Sequence, residues 1–306
     1  SQKIHIKYGG VVPEYASREH ENNLIDTINE AVKVANIKLD ELDGISVTYG
    51  PGLLGSLLVG LNMAKGLSIG LNIPFIGINH MEGHLFANLL EENKIEYPYI
   101  CLLVSGGHTQ IWIVYENKYK LVSDSIDDAA GEAFDKGAKI LGLEYPGGPI
   151  IEKLSQNGNP KKYKFPRPEV KKSKFSFSFS GLKTSLLYKC RAMGEKEVKN
   201  SIEDLSASYQ EAIVDTLVNK LDLAINETKI YNVSIAGGVA ANKRFRSKTS
   251  LLLEKYSDLS VLFPRIEFCT DNAAMIAIAG YYKILNNEVS DYSLTAVPNL
   301  SLSNRQ

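Results

Sequence analysis

The sequence predicts an α/β fold in which helices and strands alternate along the chain. Over the first hundred residues, apolar residues at helical spacing alternate with short runs rich in β-branched residues. Further along, two strand-like runs each end in a Gly-Gly turn, at residues 106–107 and 237–238. The 306 residues, 44% of them hydrophobic, suit one large or two medium globular domains. A nucleotide held between two lobes would explain the repeated glycine turns.

The composition narrows the class of protein. The formal net charge of −1 argues against a uniformly basic surface for nucleic acid, although a local basic patch is compatible with it. Three widely spaced cysteines, Cys101, Cys190 and Cys269, match no zinc or disulfide spacing and indicate a reducing compartment. We find no apolar run long enough to span a bilayer and no signal-peptide pattern. We therefore expect a cytoplasmic protein, with an organelle as the alternative, and no membrane contact.

The first part of the chain predicts two helices separated by a strand. Residues 14–35 carry apolar residues at helical spacing, and residues 44–49 form a β-rich run ended by a Gly-Pro-Gly turn. Residues 53–71 form the second helix, which is rich in small residues. Those small residues suit either close packing or a ligand at the N-terminus of the helix.

A buried strand at residues 73–78 leads into a helix that begins with two histidines, His80 and His84. Residues at i and i+4 share one face of a helix, so both imidazoles can bind one cation. Alternatively, the two side chains are only solvated. The zinc-protease pattern HExxH is not met, because Glu82 is the second residue after the first histidine. The motif suggests a metal site without implying a peptidase.

The first Gly-Gly turn separates two apolar runs, residues 98–104 and 110–115, and so predicts a hairpin. The backbone N–H groups of such a turn suit phosphate oxygens, although many Gly-Gly hairpins only reverse the chain. The second turn follows a strand at residues 232–236. Between them, residues 129–141 predict a helix.

An Ala-rich helix begins near Thr270 and Asp271. Either residue suits the N-cap of that helix. An aspartate at this point can also supply an oxygen ligand to a metal bound by two histidines, which would complete a site of two imidazoles and one carboxylate.

Residues 161–191 form the one break in composition. They contain ten Lys or Arg residues and a single acid, Glu169, interleaved with six aromatic residues. Basic groups neutralise phosphates and aromatic rings stack on bases, so this segment is the best candidate for RNA contact. The alternative is a solvated loop followed by an edge hairpin whose alternating phenylalanines face the core.

Eight stretches of the sequence resemble, in order, the motifs of the TsaD family, the tRNA threonylcarbamoyladenosine transferases once labelled sialoglycoproteases. They are residues 50–60 (GPGLLGSLLVG), 79–84 (NHMEGH), 103–109 (LVSGGHT), 127–136 (DDAAGEAFDK), 145–149 (YPGGP), 177–183 (FSFSGLK), 237–242 (GGVAAN) and 269–275 (CTDNAAM).

The resemblance implies the actin/Hsp70-like ATPase (ASKHA) fold, with two lobes that each contain a mixed sheet flanked by helices. We expect residues 1–98 in the first lobe, with residues 285–306 returning to it. Residues 99–284 would form the second lobe, with residues 161–191 as an insertion. Family members begin with a strand of the type Gly-Ile-Glu-Thr-Ser-Cys-Asp, which this sequence lacks before Ser1. The N-terminal strands of the first lobe are therefore expected to be missing.

The resemblance also implies a reaction: transfer of threonylcarbamoyl from threonylcarbamoyl-AMP to N6 of adenosine 37 in tRNAs that read ANN codons. No side-chain nucleophile is expected. The implied metal ligands for Fe2+, or alternatively Zn2+, are His80, His84 and Asp271. The residues implied to bind the donor, or an ATP- or ADP-like nucleotide in the same site, are Leu103, Val104, Ser105, Gly106, Gly107, Asp135, Gly148 and Asn242. The lysines expected to contact tRNA are Lys171, Lys172, Lys174 and Lys183.

The implied partners are tRNA and, in bacteria, an inactive paralogue of the same fold (TsaB-like) and a small ATPase (TsaE-like). Two other functions remain alternatives, a metallopeptidase and a non-catalytic scaffold of the ATPase fold. The absence of a glutamate next to His80 argues against the first. The presence of all three metal-ligand residues argues against the second.

Overall fold

A computed structural model describes residues 12–92, 95–116, 118–170 and 173–302. The described chain separates into two compact units. The first is formed by the residues up to Leu90 and by the segment that starts at Asn272, and the second by Glu91–Asp271. The sequence placed these boundaries after residues 98 and 284. The N-terminal strands expected to be missing would precede residue 12 and lie outside the described residues.

Helices and strands alternate through most of the described chain. In chain order they are α1 (Pro13–Ala35), β1 (Ile45–Gly50), α2 (Leu54–Leu71), β2 (Phe75–Asn79), α3 (His80–Phe86), β3 (Tyr99–Val104), β4 (Thr109–Val114), β5 (Tyr119–Ser123), α4 (Ala130–Ile140), α5 (Gly147–Ser155), α6 (Ser180–Met193), α7 (Glu195–Asn200), α8 (Ile202–Thr228), β6 (Asn232–Ala236), α9 (Lys243–Ser250), α10 (Leu252–Lys255), β7 (Ser260–Leu262), α11 (Ile266–Cys269) and α12 (Ala273–Leu285). Short 3₁₀ turns lie at Leu39–Glu41, Ala87–Leu90 and Gly238–Ala241.

In the first unit, β1 and β2 pair in parallel and α2 is the crossover between them. Helix α12 also belongs to this unit, because it contacts β1, β2 and α3. Its buried residues Met275, Ile276 and Ala279 form one apolar cluster with residues of β2. This packing places α12 in the same compact unit as β2.

Helix α2 corrects one expectation about membranes. Among the described residues, it is the one helix whose length and composition would allow it to cross a bilayer, with a mean hydropathy of 1.4 over 18 residues. A single such helix is weak support for a membrane span, because core helices of soluble proteins meet the same criterion. Its residues Leu57, Leu61, Ala64 and Ser68 are buried, and the helix contacts α1 and β1.

The second unit contains a mixed sheet of five strands in the order β5-β4-β3-β6-β7. Strands β3 and β4 form the antiparallel hairpin predicted around the first Gly-Gly turn, and β3, β6 and β7 run parallel. Every residue of β3 and β4 is buried, so both faces of the sheet centre are covered. Because β3 and β6 are parallel neighbours, their carboxyl ends, each followed by a Gly-Gly turn, lie side by side at one edge of the sheet.

The edge hairpin considered for residues 161–191 is wrong. Within the described residues, Phe177 makes an isolated bridge to Ser125, and helix α6 begins at Ser180. Phe165, Phe177 and Phe179 are buried, so these aromatic residues do face the core. The alternating pattern correctly predicted that the phenylalanines are buried, but it wrongly predicted that their backbone forms a hairpin.

Candidate functional site

The two histidines lie at the start of α3, directly after β2. Asn79 ends the strand and caps the helix, because its Oδ1 accepts a hydrogen bond of 2.9 Å from the Met81 N–H. His84 is buried and His80 is half-buried. Their rings meet edge to face with centroids 4.8 Å apart. Both imidazoles therefore share one face of the helix, as their spacing predicts.

Asp271 precedes the cap of α12. The cap is Asn272, whose Oδ1 accepts a hydrogen bond of 2.9 Å from the Met275 N–H, and not Thr270 or Asp271 as the sequence suggested. One possible ligand atom each from His80, His84 and Asp271 lie within 4.8 Å of one another. Two imidazole nitrogens and one carboxylate oxygen suit Fe2+ or Zn2+ with open coordination positions. We call these three residues the imidazole cluster.

The first Gly-Gly turn lies at the end of β3, after Leu103 and Val104. The Ser105 N–H donates to the His108 carbonyl at 2.8 Å, and the Ser105 hydroxyl accepts from the His108 N–H at 3.1 Å. A Cβ added at Gly106 or Gly107 would meet no atom within 4 Å. The serine closes the turn and the two glycines face open space, which leaves room for a ligand to approach the backbone.

Two further glycines pack against this turn. Gly131, at the start of α4, donates its N–H to the Ser105 carbonyl at 3.2 Å, and a Cβ there would lie 2.5 Å from that oxygen. Gly237 follows β6 with φ +89°, and a Cβ there would collide with the Val104 carbonyl. The structure thus places the two Gly-Gly turns next to each other. We did not predict from the sequence that Gly131 would pack against this turn, although one of the family motifs contains it.

Asp135 anchors the N-terminus of α5. Its Oδ1 accepts a hydrogen bond of 2.7 Å from the Gly147 N–H, and the Gly148 N–H also bonds to the carboxylate. Burial raises the pKa of Asp135 and outweighs these two hydrogen bonds, which lower it; nearby Glu132 raises it further. Asp135 and Gly148, which the family resemblance assigned to one ligand, are therefore in contact.

Asn242 reaches the same helix through a buried chain of hydrogen bonds. Its Nδ2 donates to Gln210 Oε1 at 2.8 Å, and Gln210 Nε2 donates to Ser155 Oγ in α5 at 2.8 Å. Its Oδ1 accepts from the Phe245 N–H at 2.9 Å and so caps α9. Gln210 is a functional candidate that the sequence missed. Its neighbours in the sequence include Ser208 and Glu211, so no local pattern singles it out.

The lysines expected to contact tRNA fall into two groups. Lys171 and Lys172 lie outside the described residues. Lys174 Nζ lies 2.8 Å from Glu227 Oε1, and Lys183 Nζ lies 3.3 Å from Asp128 Oδ2. The second pair of lysines therefore serves ion pairs within the second unit, and contact with tRNA stays a prediction for all four.

Asp127 lies in the loop before α4 and accepts hydrogen bonds from residues 178–180, which belong to the basic stretch of residues 161–191. Its Oδ1 accepts hydrogen bonds from the N–H groups of Phe179 and Ser180, at 2.7 and 3.2 Å. Its Oδ2 accepts from the hydroxyls of Ser178 and Ser180, at 2.6 and 2.8 Å. Burial raises the pKa of Asp127, but these hydrogen bonds together bring it below the usual value. We call this arrangement the Asp127 clamp.

The sequence matches one family of known proteins over most of its length. The sequence model of the family described as tRNA N6-adenosine threonylcarbamoyltransferase (TsaD) matches residues 1–278. A protein of that name from Thermosipho africanus is 50% identical over 300 residues, which cover 98% of this chain and 90% of the relative. The protein of the same name from Thermosipho melanesiensis is 51% identical over 299 residues, with the same coverage of 98% and 90%.

The fold is similar to that of a larger protein of known structure. HypF from T. kodakarensis matches with a TM-score of 0.64 at 14% identity. The match covers 86% of this chain and 43% of HypF, so the chain spans less than half the length of that protein. The α/β architecture predicted from the sequence, of the actin/Hsp70-like ATPase type, is confirmed.

Proposed function

Because the chain belongs to the TsaD family of tRNA N6-adenosine threonylcarbamoyltransferases, and is therefore a transferase that modifies tRNA, we propose that its donor is threonylcarbamoyl-AMP. The observation that carries this proposal is the meeting of two glycine turns at the ends of β3 and β6. Backbone N–H groups at such a turn bind phosphate oxygens without any side chain.

We assign the two ends of the donor to different residues. The phosphate and threonylcarbamoyl end is held by the backbone from Leu103 to Gly107. The adenosine end is held by Asp135, Gly148 and Asn242. The contacts that support this assignment are the hydrogen bonds that gather these three residues around α5.

The imidazole cluster is proposed to hold one divalent metal. Its nitrogen and carboxylate donors fit Fe2+, with Zn2+ as the alternative. When bound, the ion supplies Lewis acid chemistry toward carbonyl or phosphate oxygens. His80 and His84 hold their positions through the capped helix α3, and Asp271 through its direct link to the capped start of α12.

The reaction forms a bond between N6 of adenosine 37 and the carbonyl carbon of the donor. It breaks the bond between that carbon and the phosphate oxygen, and the electron pair leaves with AMP. The N6 proton passes to solvent. The glycine turns orient the donor carbonyl and leave its open face to the adenosine, so positioning carries the rate increase and no covalent intermediate with a side chain forms.

The substrate of this family is tRNA, and we propose that the stretch of residues 161–191 is where it docks. Its ten basic and six aromatic residues support that proposal. We further propose a TsaB-like paralogue and a TsaE-like ATPase as protein partners, and the cytoplasm as the site of action. The three cysteines, which are all free thiols, suit a reducing compartment.

A peptidase function is not favoured by the family, and the position of Glu82 adds an argument against it. The carboxylate of Glu82 is buried and lies 2.8 Å from Lys283 Nζ. A general base for peptide hydrolysis must face the metal-bound water, whereas Glu82 lies two residues from each histidine and points to another side of the helix.

The test is transfer of labelled threonylcarbamoyl from its adenylate to a tRNA that reads ANN codons. We expect His80→Ala to lose at least about 100-fold in transfer rate while its circular dichroism stays native. The matched control is His20→Ala, which removes an exposed histidine from α1 and should keep the wild-type rate. Undiminished transfer by His80→Ala would remove the metal from the mechanism.

A further inference from the structure

A buried ion pair joins the helix that carries both histidines to the helix that follows Asp271. Glu82 Oε2 lies 2.8 Å from Lys283 Nζ, and only 3% and 14% of the two side chains are exposed. Glu82 belongs to α3 and Lys283 to α12. We propose that Glu82 and Lys283 are a positioning pair that fixes the imidazoles relative to Asp271. This inference rests on the proposed metal role of the imidazole cluster.

Glu82 is placed to orient the histidines without competing with them. Successive residues of a helix are rotated by about 100°, so Glu82 points about 160° away from His80 and from His84. The ion pair therefore acts on the side of α3 opposite to the imidazoles. Rotation of α3 about its axis would stretch the pair and displace both nitrogen donors together.

Close packing at Gly83 fixes the distance between the same two helices. A Cβ there would lie 2.7 Å from Ile276 Cδ1 and 3.3 Å from Met275 Cγ, both in the first turn of α12. Gly83 thus lets α3 approach the turn that directly follows Asp271 and Asn272. Gly83 sets the distance between α3 and α12, and the ion pair of Glu82 and Lys283 sets the rotation of α3 about its own axis.

Removing one member of a buried ion pair takes the opposite charge away from the other member, which is then drawn toward water. In Glu82→Gln the Lys283 ammonium would pull away from α3, and in Lys283→Met the Glu82 carboxylate would turn α3. Residues that orient metal ligands typically contribute about 10- to 100-fold to metal affinity. We expect losses of this size from either variant.

The experiment is titration of the full chain with Co2+, whose visible absorption reports the coordination geometry. Wild type should bind one equivalent, and His80→Ala should not. Glu82→Gln and Lys283→Met should each weaken binding by about 10- to 100-fold and change the visible spectrum. Glu211→Gln is the control, because it removes another buried carboxylate from an ion pair, with Arg244 Nε at 2.7 Å, and should leave the Co2+ spectrum unchanged.

The outcomes separate the two proposals. If wild type shows no Co2+ binding that depends on His80, the proposed metal role fails first. If wild type binds and both single variants keep its affinity and spectrum, the positioning pair is wrong. Should the single variants unfold, the double variant Glu82→Leu, Lys283→Met decides, because it leaves no unpaired charge. Weakened Co2+ binding by the folded double variant supports the pair, and wild-type binding overturns it.

Discussion

The imidazole cluster and the glycine turns present their binding atoms in opposite ways. In the cluster, the donor atoms lie at the ends of the rotatable side chains of His80, His84 and Asp271. At the turns, the groups proposed to bind are backbone N–H groups at the ends of β3 and β6, and a Cβ at Gly106 or Gly107 would meet open space. Side-chain donors need neighbouring residues to hold them in position, whereas backbone donors need glycine so that a ligand can approach them.

This difference predicts which substitutions each site tolerates. The cluster depends on helix caps and on the buried pair of Glu82 and Lys283. The turns depend on Gly131 and Gly237, where an added Cβ would strike the backbone itself, which has no flexible end that can move aside. The two regions should therefore fail separately, each through its own kind of change.

The largest effect is expected from Gly237→Ala. With φ +89° and ψ 167° this position is essentially restricted to glycine, and an alanine would also strike the Val104 carbonyl. The strain costs about 1–3 kcal/mol, and displacement of the turn should lower kcat/KM for transfer about 100-fold. Calorimetry should show lost AMP binding with unchanged Co2+ binding.

The control for that change is Gly142→Ala. Gly142 also has a positive φ, of +74°, but a Cβ there meets nothing within 4 Å. It should cost a similar backbone strain and leave kcat/KM near wild type. Equal losses of transfer in the two alanine variants would show that backbone strain alone, and not the turn, is responsible.

A smaller effect is expected from Gln210→Leu, which cuts the link between Asn242 and Ser155. The Asn242 amide would lose a buried acceptor, at a cost of about 1–3 kcal/mol. The KM for the donor should rise about tenfold with little change in kcat, measured at saturating tRNA. The double variant with Ser155→Ala should add little further loss, since both changes cut one chain. Fully additive losses would contradict a shared role.

The smallest effect on transfer is expected for Glu211, next to Gln210, whose predicted contribution is to stability. Burial raises the pKa of this carboxyl, but hydrogen bonds from Arg244 and Lys248 outweigh it and bring the pKa to about 2 from 4.5. Its stabilising contribution, at most about 3 kcal/mol, is therefore fully present above pH 4.5 and is lost as the pH falls toward 2.

Urea unfolding between pH 6 and about pH 2 tests this. The free energy of unfolding of wild type should fall more steeply with acid than that of Glu211→Gln. The exposed Glu254→Gln is the control and should follow wild type. Parallel curves for wild type and Glu211→Gln would mean that the ion pairs of Glu211 with Arg244 and Lys248 do not stabilise the fold.

Features that depend on neighbouring residues could be predicted from the sequence. The shared face of His80 and His84 follows from helix geometry, and the hairpin between β3 and β4 from two apolar runs around a Gly-Gly turn. The family motifs named the residues that the structure gathers around α5. These predictions needed only local spacing or a motif.

Features that depend on distant contacts could not be predicted. Gln210 bonds to Asn242 across 32 residues, and no spacing rule reports such a pair. The edge hairpin failed because alternating apolar residues fit both a strand and an irregular segment with inward aromatics. The hydrogen bonds that Asp127 accepts from the backbone of Phe179 and Ser180 favour the irregular segment. The packing of α12 on β2 likewise depends on residues about 200 positions apart in the chain.

The Asp127 clamp joins the basic stretch to the part of the chain that leads into α4. Its hydrogen bonds join residues up to 53 positions apart, and it lies just ahead of α4, whose Gly131 abuts the first glycine turn. Residues 178–180, although distant along the chain from the first glycine turn, are thus joined to it by two successive sets of hydrogen bonds, those of Asp127 and that of Gly131.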